Sequence, residues 1–84
     1  MPQLTYWEYQ ELAQKLNSRI GSGKARQKLI EYTRNNPLQA IEYMLKTLEK
    51  QQNKKLLELT TTTILETILN IPYHTAQELS LIHI

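Results

Sequence analysis

The chain contains no cysteine, no aspartate, no valine and no phenylalanine. Without cysteine there is no disulfide, no thiolate nucleophile and no cysteine-ligated metal, so covalent staples do not compensate for small size. A cysteine-free small chain fits the cytosol most simply. Without aspartate, the residues expected of an EF-hand loop, a Walker-B strand or an aspartyl phosphotransfer site are missing. No apolar run approaches the roughly 20 residues of a membrane span. Met1-Pro2-Gln3-Leu4 has neither the basic start nor the apolar stretch of a signal peptide. The expectation is a cytoplasmic chain with no membrane, metal or cofactor partner. A net charge of +2 over 84 residues neither demands nor forbids an acidic partner.

What the chain does have is leucine, lysine, glutamate and glutamine, all good helix formers. Thr5-Tyr6-Trp7-Glu8 is a capping box, and Leu4 with Tyr9 occupies the two positions of a hydrophobic staple. Tyr6, Tyr9, Leu12, Ala13, Leu16 and Ile20 then recur at helical spacing, which predicts a first helix from Tyr6 to about Arg19 ended by Gly21. Gly21-Ser22-Gly23 opens a second helix running to about Asn35. Asn36 as N-cap and Pro37 at the first helical position start a third, reaching Gln51.

Leu48 and the apolar residues beyond Leu56 lie out of phase by roughly 130° on a continuous helix, so a turn near Asn53 is predicted instead of one rod. Thr60 to Thr63 is a β-branched run, and a strand through Leu59 to Leu65 is its rival reading. Helical spacing of Leu57, Thr61, Ile64, Leu65, Ile68 and Leu69 favours helix. Thr75-Ala76-Gln77-Glu78 reads as a second capping box, the opening of a further helix.

These signals predict an all-α fold: a small antiparallel bundle of about four main helices joined by short turns. Its expected core is Tyr9, Leu12, Leu16, Ile20, Leu29, Leu38, Ile41, Leu45, Leu48, Leu57, Ile64 and Ile68. One helical domain over residues 1–78 accounts for all of them.

Gly21-Ser22-Gly23-Lys24 has the glycines of a phosphate-binding turn but not the first glycine, the Ser or Thr after the lysine, or the preceding strand of a Walker loop. Arg19, Lys24, Arg26, Lys28 and Arg34 make this region basic and form the candidate nucleic-acid surface. Leu12-Ala13-Gln14-Lys15-Leu16-Asn17 resembles the first helix of a helix-turn-helix motif, although the turn up to Ser22 is long for that class. His74 and His83 have no cysteine or aspartate to join them at a metal, and Ser18, Ser22 and His74 form no nucleophile motif. Catalysis is therefore not expected. The apolar residues that one small bundle cannot easily bury, Trp7, Ile30, Tyr43 and Leu56, are the candidate protein-partner contacts.

Leu29-Ile30-Glu31-Tyr32, followed by Leu38, Ile41 and Leu45, resembles the middle of bacterial effector-associated, death-like adaptor domains. That resemblance covers Lys24 to Leu48 and implies a helical module that recruits like domains, self-associates or couples a sensor to an effector. The chain departs from it in reading as four fairly long helices where that class has six short ones. Leu79-Ser80-Leu81-Ile82-His83-Ile84 resembles a translated sequencing adaptor. This implies a non-native tail over 79–84 and a natural frame truncated near Glu78.

Overall fold

A computed structural model describes residues 3–80, and five helices account for most of them: α1 (Tyr6–Leu16), α2 (Ser22–Asn35), α3 (Pro37–Lys50), α4 (Lys54–Leu69) and α5 (Tyr73–Leu79). No strand occurs among the described residues. The all-helical expectation holds, with a helix count of five instead of four. The difference is α5. Pro72, at φ −62° and ψ 154°, is its N-cap, and the Ala76 N–H donates to the Pro72 carbonyl, so Thr75 lies inside the helix and not at a cap.

The local signals that need no tertiary partner are realised. Glu8 N–H donates to Thr5 Oγ1 at 3.2 Å while Thr5 N–H donates to Glu8 Oε1 at 2.9 Å, closing the capping box. Asn53 caps α4 by accepting from Leu56 N–H at 3.2 Å. Pro37 occupies the start of α3, whereas Asn36 takes the N-cap position without a side-chain cap. α1 stops at Leu16, earlier than Arg19. The Asn17 N–H turns back to Gln14, and the Ser18 hydroxyl, 2.7 Å from both the Lys15 and Ile20 carbonyl oxygens, donates to one or the other. Gly21, at φ +82°, makes the left-handed turn into α2 that a side chain would strain.

α4 is the axis of the fold, packing against each of the other four helices. Leu56, Leu57, Thr60, Thr61, Thr62, Thr63 and Ile64 are all buried, so this helix is enclosed nearly all round. Threonine can occupy such a place because its hydroxyl can bond back to its own helix. Thr60 donates to the Leu56 carbonyl at 3.0 Å, Thr61 to Leu57 at 2.7 Å and Thr63 to Leu59 at 2.8 Å. Thr33 and Thr47 make the same contact in α2 and α3. The run that reads as a rival strand is thus a helix whose polar atoms are largely satisfied without partners from other helices.

Around α4 the aromatic core is made of tyrosine. Tyr43 stands edge-on to Tyr6 with ring centroids 5.5 Å apart, and its ring is 5.5 Å from Tyr9 and 6.4 Å from Tyr32. Its hydroxyl donates to the Leu4 carbonyl at 2.8 Å, tying the N-terminal segment to α3. The Tyr32 hydroxyl donates to Gln39 Oε1, and burial pushes its pKa up to about 12, with Tyr43 and Glu42 adding to the effect. Tyr9 is wholly buried and its hydroxyl has no hydrogen-bond partner. Burial drives its pKa well up, and the nearby Thr60 and Thr47 hydroxyls donate to the Leu56 and Tyr43 carbonyls of their own helices instead of to it.

Of the expected core, Tyr9, Leu16, Leu29, Leu57 and Ile64 are buried, and Leu12 and Ile41 are half-buried. Ile20, Leu38, Leu45, Leu48 and Ile68 are not: each lies on the surface. Ile20 is exposed because α1 ends before it, leaving it in the turn at 88% exposure. Ala13, Ala25, Ala40, Ala76 and the buried threonines take the places that larger side chains were expected to fill. Leu79 ends α5 and is exposed, while Ser80 is buried with its hydroxyl 2.8 Å from Thr61 Oγ1. Residues 81–84 of the tail, including His83, lie outside the described residues.

The two tyrosines at the centre make opposite predictions on loss of the hydroxyl. Tyr9→Phe removes an unpartnered buried polar atom and is expected to leave stability unchanged or to raise it by up to about 1 kcal/mol. Tyr43→Phe removes a satisfied bond and strands the Leu4 carbonyl, lowering stability by about 1 kcal/mol. Urea denaturation of both variants checks the signs.

Candidate interaction surface

α3 carries two apolar sets. Ala40, Tyr43, Met44 and Thr47 face the other helices, with Ala40 and Thr47 fully enclosed. Leu38, Ile41, Leu45 and Leu48 follow the three-four-three spacing of a helical seam, and at 100° per residue their mean direction is roughly 130° away from the first set. Leu38 is 82% exposed, Leu45 55% and Leu48 40%, with Ile41 half-buried between them. The residues that this helix turns inward are small at Ala40 and Thr47, and Thr47 meets the Tyr6 hydroxyl of α1. The leucines are left outside.

The polar rim of this stripe is acidic on its solvent side. Glu42 lies one turn beyond Leu38 and Glu49 one turn beyond Leu45, both exposed, and neither is ion-paired among the described residues. Lys46, the cation between them on α3, is directed elsewhere, its Nζ lying 4.4 Å from the centre of the Tyr6 ring.

The residues expected to meet a protein partner are dispersed. Trp7 is on the surface of α1 at 74% exposure. Ile30 is half-buried and lines a hollow with Arg26, Arg34 and Glu66. Tyr43 belongs to the tyrosine cluster and Leu56 is buried, which corrects their reading as surplus surface residues. Tyr43 is held inward by its bond to Leu4, and Leu56 by lying on the inward side of the first turn of α4, whose Lys54 and Lys55 are exposed.

The basic residues divide in the same way. Lys24 and Lys28, four apart on α2, join Lys15 around a hollow of about 300 Å³ that Leu12, Ile20 and Ala25 also line. Arg26 points to another side and is paired with Glu66. Arg34, eight residues on from Arg26, lines the same hollow as that pair, and Arg19 is exposed in the turn after α1. Residues 17–21 connect α1 to α2, a longer turn than the helix-turn-helix norm of three to four residues. No group of three metal-capable side chains occurs among the described residues, and no described helix is long and apolar enough to cross a membrane.

No protein-family model, no curated protein and no solved structure matches the chain.

The two faces of α3 differ in how they should tolerate change. Leu38→Ser alters an exposed position and is expected to shift stability by no more than about 0.5 kcal/mol. Ala40→Leu forces a large side chain into a fully enclosed position and should cost about 1–3 kcal/mol. Thermal and urea unfolding of the pair would show the order of costs reversed if α3 were turned the other way.

Proposed function

We propose that the chain is a non-catalytic helical module for protein–protein interaction, acting in the cytoplasm as an adaptor or through self-association. The observation that carries this reading is the row of large apolar side chains on α3, with Leu38, Leu45 and Leu48 exposed and Ile41 half-buried between them although smaller residues of the same helix are enclosed. An exposed apolar row at helical spacing is the form of a helix-docking surface. Trp7, on α1, is a further exposed anchor of the type enriched at interface centres. The resemblance to effector-associated adaptor domains points the same way.

Sedimentation velocity across concentration, with affinity capture of co-expressed neighbouring gene products, tests it. Wild type and a Leu38→Asp/Leu45→Asp double variant should have the same circular dichroism, with association weakened at least about tenfold in the variant, as removal of interface anchors requires. A chain that is monomeric throughout and captures nothing that the double variant fails to capture would contradict the proposal.

A second reading, nucleic-acid binding, draws on the convergence of Lys15, Lys24 and Lys28 around one hollow. Binding through these lysines would weaken steeply with salt, because each neutralised phosphate releases counterions. A mobility shift on duplex or single-stranded DNA or RNA at low salt, lost in a Lys24→Ala/Lys28→Ala variant, would favour it. No shift at micromolar protein would remove it.

A further inference from the structure

We infer that the α3 stripe receives an amphipathic helix whose apolar seam is bordered by lysine or arginine. The inference rests on the reading of this chain as an interaction module and specifies the partner's chemistry. Three observations converge on it. The spacing of Leu38, Ile41, Leu45 and Leu48 puts them on one line about 15 Å long, a length that matches roughly three turns of a partner helix. The solvent-side border of that line is Glu42 and Glu49, exposed and without ion pairs among the described residues. The nearest cation on α3, Lys46, sits over the Tyr6 ring and does not neutralise that border.

Charge also weighs against a second copy as the occupant. In the heptad frame with Leu38 and Leu45 at a, and Ile41 and Leu48 at d, Glu42 and Glu49 are both at e. A twofold antiparallel pairing of α3 with α3 brings Glu42 of one copy against Glu42 of the other, a like-charge contact. A parallel pairing sets the glutamates against the g positions, Pro37 and Met44, which carry no cation. A helix with lysine or arginine beside its seam places a cation against each glutamate, and complementary flanking charges are what select partners in helix pairs.

The test uses two synthetic, fluorescein-labelled peptides of about three heptads, with identical leucine and isoleucine seams and either lysine or glutamate at every flanking position. Fluorescence anisotropy against the full chain at low ionic strength is expected to show the lysine-bordered peptide binding about tenfold more tightly, the gap narrowing as salt rises. Glu42→Lys with Glu49→Lys should reverse the preference, and Leu45→Asp should abolish binding of both peptides. Leu38→Asp, judged alongside Leu45→Asp by circular dichroism, separates lost docking from lost folding.

Equal binding of the two peptides would overturn the basic-partner inference and leave the interaction reading intact. Failure of both peptides, with self-association that Leu45→Asp removes, would assign the stripe to a second copy and likewise overturn the inference alone. Peptide binding that appears only after truncation following Ser80 would assign the stripe to the chain's own end, with the same consequence. Failure of both peptides with a strictly monomeric chain before and after truncation would overturn the inference and the interaction reading together.

Discussion

The burial of four consecutive threonines inside one helix is the constraint on which the arrangement depends. A buried hydroxyl without a partner costs on the order of 1–3 kcal/mol, and a row of them would be untenable at the centre of so small a fold. α4 meets the cost internally for Thr60, Thr61 and Thr63, whose hydroxyls reach carbonyls three or four residues back. Thr62 is the exception: it is buried with no partner for its hydroxyl. A helix that satisfies most of its own polar atoms can be surrounded on every side. That is what lets α4 stand at the centre although four of its residues in a row are threonine.

Threonine and alanine are also small, and this sets how the neighbouring helices present themselves. α3 turns Ala40 and Thr47 into the bundle, Thr47 Oγ1 lying 3.3 Å from the Tyr6 hydroxyl, while Tyr43 and Met44 pack against the core beside them. The uncharged sector of α3 is wide because Glu42, Lys46, Glu49 and Lys50 occupy only about 100° of its circumference. Contacts with α2, α4 and the tyrosines of α1 cover only part of the remainder. The part left over contains Leu38, Leu45 and Leu48, the exposed leucine row.

This explains what could be read in the sequence and what could not. Helix starts governed by adjacent residues were legible: the Thr5–Glu8 box and the Pro37 start depend on atoms within a few positions, and the break at Asn53 was read as a turn though not as the cap it is. Thr75 looked like another such cap, but Pro72 starts α5 earlier and absorbs it into the helix. The threonine run was legible as helix from its spacing. The direction in which α3 faces was not, because helical periodicity weights the heaviest apolar stripe and carries no information about which neighbour it meets. Leu38, Leu45 and Leu48 were therefore assigned to the core, and the surface role fell to Tyr43 and Leu56, which are held inside. The two-sided apolar pattern of α3, with its narrow charged sector, was the signal available in the sequence for a second, outward face.

Because the chain has no cysteine, single cysteines placed along α3 report its orientation without background. Thiol-labelling rates for Leu38→Cys, Leu45→Cys, Ala40→Cys and Thr47→Cys, under conditions where each variant is folded, test the central claim that the small residues of α3 face the bundle and its leucines face solvent. The account predicts labelling at 38 and 45 close to the rate of a free peptide thiol and protection of at least about a hundredfold at 40 and 47, as local opening of a packed core requires. Rapid labelling at 40 and 47 with protection at 38 and 45 would contradict it.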